Sequence, residues 1–576
     1  VRSFNENYQL TPKKMNKVKS LFFWTIFTLI VLIINGSFIQ CSSPEAINNM
    51  DIVSAKEYIT LADSVRNFNP DSAITIYNQA INLINPLRKE LLENQILTSS
   101  YIGMAFAYSE LGDKQSAWQN DSIALLIASS SRDELSLAKA TNVKALLYAR
   151  KGEFNNSLTA YSEALAHAVQ AKDWVMQAKI WSNRAQVFHF LGNKDETITG
   201  FSNALEMAKK SGNEQLIAGC YINLGNLFNF FGDNDNARAN FELALPVVQS
   251  VGDKNSELLC CQNIGNIYFD LSVFDKAIEC YQKSLDIALL MKDKSNIAKG
   301  YHNIAEVYST IGDNNTAIDF YFKSIKIKEE LEDEKGLVYS DLSLGALYLQ
   351  RSDYKYAFEY FKKALHLSEK LEFKQGIGLS SENLANVYSG MRMQDSTMYY
   401  YDKALEIDKI IGNKSGLATT YSNMASEFAK QRDFVRAEKY MLDALQIKTE
   451  LGEIDGKAQV LYSLADLYFK KAKTAHAEAQ TTLLNKAEKA GMDSYLFAKE
   501  INTLPSILNA SKVLEQIYFA MENLSGAKRF SDIYEAANDS LFSREKAEAL
   551  TFANTRWNVE KKQQEIDNLE KTKNLQ

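Results

Sequence analysis

In a chain of 576 residues, five cysteines and five histidines are the side chains best suited to nucleophilic or metal chemistry. The histidines are His167, His189, His302, His366 and His476, and none stands at a metal-ligand spacing from another histidine or a cysteine. Cys220 and Cys260 lie forty residues apart, and Cys260, Cys261 and Cys280 fall close together. A Cys261–Cys280 disulfide stays open in an oxidising compartment; small buried core side chains are the plainer reading. No nucleophile elbow, phosphate loop or zinc-protease pattern occurs. These residues predict no enzyme, no cofactor and no metal. The recurring polar side chains are instead asparagine and glutamine, which both donate and accept hydrogen bonds and so suit a peptide backbone. Recognition by such groups depends on a scaffold that repeats them in register.

A forty-residue period supplies that scaffold. Turns recur at Gly112-Asp113, Gly152-Glu153, Gly192-Asn193, Gly232-Asp233 and Gly312-Asp313, and the phase holds through Ser272, Ser352, Arg392 and Arg432. Thirteen residues after each turn comes a leucine or isoleucine, from Leu125 to Leu445, preceded every time by alanine or serine. A second series, including Arg132-Asp133, Lys172-Asp173, Gly252-Asp253 and Gly412-Asn413, lies about twenty residues further on. Each unit is therefore two helices of roughly 14–17 residues joined by short turns. Strand signals are missing. Nine units in register predict an all-α repeat solenoid rather than a globular enzyme.

The first helix of a unit carries one apolar stripe. With Tyr221 and Tyr301 numbered as position 4, positions 4, 7, 8 and 11 read Tyr221, Leu224, Gly225, Phe228 and Tyr301, Ile304, Ala305, Tyr308. The second helix presents a small residue, an aromatic and Ala-Leu, as in Ala237, Phe241, Ala244 and Leu245. The small residues allow the paired helices to approach closely. The aromatics are expected to fill the space between units.

Ala-Gly-Cys-Tyr-Ile-Asn-Leu-Gly-Asn-Leu-Phe at 218–228 and Asn-Ala-Arg-Ala-Asn-Phe-Glu-Leu-Ala-Leu at 236–245 resemble the tetratricopeptide repeat, and the resemblance runs over roughly residues 55–545. The period is forty rather than thirty-four, and the family's proline is mostly replaced by the second turn series. The resemblance implies a right-handed superhelical solenoid of antiparallel helix pairs that binds a protein or peptide. By the same resemblance, positions 2, 5, 9, 12 and 13, about 135° from the buried stripe, line a ligand groove. They hold Gln186, His189 and Phe190; Asn226, Asn229 and Phe230; Gln262, Asn266 and Asp270; Lys299, His302 and Glu306; then Glu382 and Asn386. A merely solvated face is the alternative. The family's clamp for a C-terminal carboxylate is not assembled by these residues. Asparagine also recurs at position 6, at 183, 223, 263, 303, 383 and 423, where hydrogen bonds between units are expected.

The formal net charge is -7, and without residues 1–41, which hold five basic side chains against Glu6, it is -11. An acidic body with no basic stripe argues against nucleic acid. Residues 21–34 are a continuous apolar run preceded by Lys13, Lys14, Lys17 and Lys19, the arrangement of an export signal. Met15 is a candidate start. Cys41-Ser42-Ser43 resembles a bacterial lipoprotein acceptor, although Gln40 departs from the small residue expected before it. Lipidation at Cys41, ordinary cleavage and an uncleaved anchor are the three options.

The chain is thereby divided into a tail with signal peptide or membrane anchor (1–41), a linker (42–54), an irregular opening repeat (55–92), nine in-register repeats (93–454), an irregular repeat with an insertion (455–504), a final repeat (505–545) and a charged, coiled-coil-like extension (546–576). The extension, with Trp557, Ile566 and Leu569, resembles the connector of membrane-bound tetratricopeptide sensor proteins of Bacteroidetes-type bacteria. In those proteins a histidine kinase or helix-turn-helix output domain follows. The resemblance implies the extracytoplasmic sensor half of a signalling protein, anchored through its N-terminus on the periplasmic side of the inner membrane and able to dimerise through its C-terminal helix. A stand-alone envelope lipoprotein scaffold and a cytosolic peptide-responsive regulator are the alternatives.

Overall fold

The computed structural model describes residues 44–84 and 91–540, with side chains from 51 onward. The apolar run 21–34, Cys41 and the extension 546–576 lie outside the described residues. Among the described residues there are helices and turns and no strand.

The turn chemistry explains the period. Gly252 takes a φ of 72°, a left-handed conformation that glycine adopts without strain, and ends the helix Asn234–Ser250. The Asp253 N–H then donates to the Val248 carbonyl at 2.9 Å, closing the helix end. The Asp253 carboxylate accepts from the Ser256 N–H at 3.1 Å and the Ser256 hydroxyl at 2.7 Å, capping Lys254–Asp270. Those Ser256 bonds hold its carboxyl below the usual range. Three residues thus stop one helix and start the next. Where glycine is replaced the backbone does not change: Ser272, Ser352, Arg392 and Arg432 have φ between 57° and 62°. Glu332 and Glu372, which the sequence pattern left unmarked, are also left-handed. Because the turns are this short, the helices fall at or just above the top of the expected length, 17 residues in Phe154–Gln170 and 18 in Lys294–Ile311.

The chain forms two compact units, one up to Cys220 and one from Tyr221, the divide falling inside the helix Glu214–Phe230. A repeat packs on its neighbours alone, so no single core runs the length of the chain. In the first unit the pairs are Pro44–Val65 with Pro70–Leu83, Leu91–Glu110 with Lys114–Ser131, Glu134–Lys151 with Phe154–Gln170, and Trp174–Phe190 with Lys194–Ser211. The linker expected at 42–54 is therefore helical from Pro44. The proline starts a helix at little cost, and Ile52, Ala55 and Ala62 are buried with the opening pair.

In the second unit, regular pairs run from Lys254–Asp270 with Phe274–Met291 to Lys414–Lys430 with Phe434–Glu450. The insertion expected after Lys470 is a longer pair, Ile454–Ala472 with Ala477–Glu500, rather than an interruption. Leu504–Ala520 and a helix at 524–540 close the described chain.

Within each pair, position 8 faces the aromatic of its own second helix rather than a gap between units. A Cβ on Gly265 would lie 2.7 Å from the Tyr281 ring, and one on Gly345 2.5 Å from Phe361. A second aromatic, one residue earlier, stacks on position 11. Tyr308–Phe320, Tyr348–Tyr360, Tyr388–Tyr400 and Phe428–Tyr440 have ring centroids 5.5–5.7 Å apart and interplanar angles of 5–15°. Each such stack contributes about 0.5–1.5 kcal/mol beyond area burial.

Candidate ligand-binding groove

Two recesses open in one register of the repeat. In the first unit, a recess of about 330 Å³ lies between successive first helices, Glu134–Lys151 and Trp174–Phe190. Leu146, Ala149 and Arg150 contribute positions 9, 12 and 13 of one helix; Asn183, Gln186 and Phe190 contribute 6, 9 and 13 of the next. In the second unit, a recess of about 600 Å³ lies between Lys414–Lys430 and Ile454–Ala472. Every residue lining the smaller recess has its counterpart, seven periods on, in the lining of the larger one: Leu146 becomes Ser426, Gln186 becomes Asp466 and Phe190 becomes Lys470. The hollow is thus built by the repeat, and the side chains decide its chemistry. The first is apolar, with Phe190 71% exposed at its rim. The second is rich in cations, including Lys430, Arg432, Lys470 and Lys473.

Of the groove residues read from sequence, Gln186 and Phe190 line the first recess, and His189 does not. Asn226, Asn229 and Phe230 are exposed. Two position-9 asparagines are engaged inside their own pair: the Tyr281 hydroxyl donates to Asn266 Oδ1 at 2.8 Å and the Tyr401 hydroxyl to Asn386 Oδ1 at 2.6 Å. Their amide protons stay available. Asp270 and Lys299 are exposed at the surface, and the protein packed around one side of Asp270 partly desolvates its carboxyl and raises it. Position-6 asparagines bridge consecutive units in three cases. Asn183 donates to Asn142 at 3.1 Å, Asn263 to Asn226 at 3.3 Å and Asn423 to Glu382 at 3.0 Å. Asn383 bonds its own helix at Leu379. Burial, aided by the Asp408 charge, pushes the Glu382 carboxyl up to about 7.

His302 Nε2 lies 3.5 Å from Glu306 Oε1, and its ring is 5.5 Å from Tyr321. The Ser343 hydroxyl of the next unit donates to Glu306 at 2.5 Å. Burial, then the Lys328 charge, pushes His302 down to about 3, so it is neutral at physiological pH. Gln262, His302 and Glu382 share position 5; the first is half-buried, with its amide nitrogen buried without a partner.

A family model described as tetratricopeptide repeat matches residues 257–330, and the helix pairs superpose on the apo form of RapI with a TM-score of 0.50 at 13% identity, covering 62% of this chain and 98% of that one. Residues 257–330 carry tetratricopeptide repeats. A model described as anaphase-promoting complex subunit 5 matches 143–222 and 216–270. The apo form of the quorum sensor NprR from B. thuringiensis gives a TM-score of 0.41 at 15% identity, over 61% of this chain and 98% of that one. A signal transduction ATPase with numerous domains and a tetratricopeptide repeat sensor, from Pyrococcus horikoshii, gives 0.41 at 14% identity, over 57% and 52%. No curated protein matches.

Two groups of residues in the repeats were not singled out from the sequence. Lys328 is 6% exposed and donates to the Ser340 hydroxyl at 2.8 Å and the Gly336 carbonyl at 3.3 Å. It stands in a column held by Ala128, Ala168, Ala208, Val248 and Ala288 in the preceding repeats and by Ser368, Asp408 and Lys448 in the following ones, and the first charge after a run of small apolar residues was the available signal. The cations of the second recess lie beyond Asn386, where the groove reading stopped. Cys220, Cys260, Cys261 and Cys280 are free thiols, and no disulfide occurs among the described residues. Burial pushes these thiols up to about 11 or 12, which leaves them inert. Among the described residues no group of His, Cys, Asp or Glu is poised to hold a metal ion, and no helix is long and apolar enough to cross a membrane.

Proposed function

We propose that this protein binds extended peptide segments of partner proteins across the recesses between successive first helices. The observation that carries the reading is the reuse of one lining, seven periods apart, with different side chains. The Gln186 amide in the first hollow provides a donor for a peptide backbone, cations line the second in its place, and each hollow takes a side chain. Peptides selected from a random library by the full chain should lose at least tenfold in affinity on Phe190→Ala combined with Gln186→Ala. Leu126→Ala, an exposed side chain on a second helix, should leave affinity unchanged. Equal losses from both variants would sink the groove reading.

We further propose that the array is the extracytoplasmic sensor or interaction region of a membrane-associated protein, anchored through its N-terminus and dimerising through the extension 546–576. The lysine-flanked apolar run 21–34 supports export, with Cys41 as the acceptor if the anchor is a lipid. A reporter that is active only outside the cytoplasm, fused after residue 60, should be active, and a Leu29→Arg, Leu32→Arg double variant should silence it. A silent reporter in the parent argues for the cytosolic regulator instead, and an active one in the variant would show that the run 21–34 is not the export signal.

A further inference from the structure

The second recess differs from the first in a way that names a ligand chemistry. Position 13 changes from Phe190 to Lys470, and the helix Ile454–Ala472 runs on where regular units turn. At the place of the usual capping acid, held by Asp233 and Asp313 in other units, stands Lys473. The break in the period therefore adds a cation, and Arg432, in a left-handed turn with φ 62°, adds another from the facing pair.

Two of the four cations are already neutralised. Lys430 bonds Glu427 at 2.5 Å and Lys470 bonds Asp466 at 2.7 Å. Among the described residues neither Arg432 nor Lys473 has a carboxylate partner, and Lys473 Nζ sits 4.1 Å from the Phe469 ring centroid. The serine and threonine hydroxyl protons are committed: Ser426 donates to Ser422 O, Ser463 to Gln459 O and Thr474 to Lys471 O. The nearby start of Phe434–Glu450 is capped by its own Asp433. What the recess still offers is one planar guanidinium fork, which matches a carboxylate, one ammonium and the Tyr462 hydroxyl. A phosphate would find no spare serine or threonine hydroxyl and no free helix N-terminus. The volume of about 600 Å³ admits more than one side chain.

We infer that this recess binds an acidic segment of a partner polypeptide, with two neighbouring Asp or Glu side chains entering against Arg432 and Lys473. The inference rests on the groove reading and adds the partner's chemistry at this unit. In a chain of net charge -7, a locally cationic hollow selects for such a segment over the rest of the surface.

The test uses the full chain and fluorescence anisotropy with a labelled peptide containing six glutamates, beside glutamine-matched and phosphoserine-matched peptides. The glutamate peptide should bind, weaken with added salt, and outbind the glutamine peptide. Arg432→Gln with Lys473→Gln should cost tenfold or more. Lys355→Gln with Lys409→Gln, an equal charge change outside the recess, should cost less than twofold. Circular dichroism and thermal midpoints establish that both variants are folded. No salt-sensitive binding up to 1 mM, equal losses from both double variants, or tighter Arg432-dependent binding of the phosphoserine peptide overturns the inference. Retention of glutamate-peptide binding by the Phe190→Ala, Gln186→Ala variant separates its outcome from that of the apolar recess.

Discussion

Asp121 occupies the column that elsewhere holds Tyr161, Phe201, Phe241, Tyr281 and Tyr321. It is 1% exposed, and neither carboxylate oxygen has a hydrogen-bond partner. Burial pushes it up to about 7 against an ordinary 3.8, and the Lys144 charge offsets this only in part. The folded state holds the proton more tightly than the unfolded state. Stability is therefore full below about pH 3.8 and is lost as pH rises to about 7. Roughly three pK units correspond to about 4 kcal/mol. Asp121→Asn should raise the thermal midpoint at pH 8 and change it little at pH 3.5; an equal shift at both pH values would contradict this. Lys328 gives the mirror case. Burial pushes it down to about 8 from 10.5, so its cost is full below about pH 8 and fades as pH climbs to 10.5. Lys328→Met should raise stability at pH 7 by about 1–3 kcal/mol, seen as a higher thermal midpoint, with the gain shrinking towards pH 10.5 in the same melts. Both residues were legible as breaks in a column. Their burial was not, because column membership gives a direction in the fold and not how closely the neighbours pack around it.

At the scale of the helix pair, the sequence spacing located nearly every boundary, because each turn is one left-handed residue followed by a capping position. Ser352 keeps φ 57° without being glycine, so neighbours and caps enforce what propensity alone would not. The inner packing was less legible. The stack of position 11 on Phe320, Tyr360, Tyr400 and Tyr440 involves residues that a stripe read at helical spacing assigns to no face. The recesses were half legible: Gln186 and Phe190 follow from angle around one helix, whereas Arg432 and Lys473 enter from turns whose reach depends on the paired helix. The same substitution should have opposite signs at two glycines. In Gly345→Ala the new Cβ meets Phe361 at 2.5 Å. Overpacking at about 1–3 kcal/mol outweighs a helix-propensity gain of about 1. In Gly219→Ala nothing lies within 4 Å, so the propensity gain stands and stability rises by up to ~1 kcal/mol. Chemical denaturation of the two variants decides it, and a stabilised Gly345→Ala would mean that the pair can separate at little cost.

For the molecule as a whole, the concentration of contacts between neighbouring helices governs how binding is felt. Among the described residues of the unit from Tyr221, helices pack mainly on their neighbours in sequence, with lesser contact to the next helix but one. Free energy gained at one repeat interface is then shared with adjacent repeats and diminishes with distance along the array, unlike in a globular domain that opens as one body. An acidic peptide held at one hundred times its dissociation constant stabilises the conformations that bind it by about 2.7 kcal/mol. Hydrogen exchange should therefore slow most strongly in Lys414–Lys430 and Ile454–Ala472, less in Lys374–Gly390, and least in Lys254–Asp270, four and five units from the two helices lining the recess. Uniform slowing across the unit would show that the repeats open together, and binding in this recess would then act through global stability rather than through local ordering of the array. Slowing confined to the two lining helices, lost with Arg432→Gln and Lys473→Gln, would place the coupling at a single interface. A sensor built this way reports occupancy to its neighbouring repeats first, so an output element would have to be reached through adjoining helix pairs.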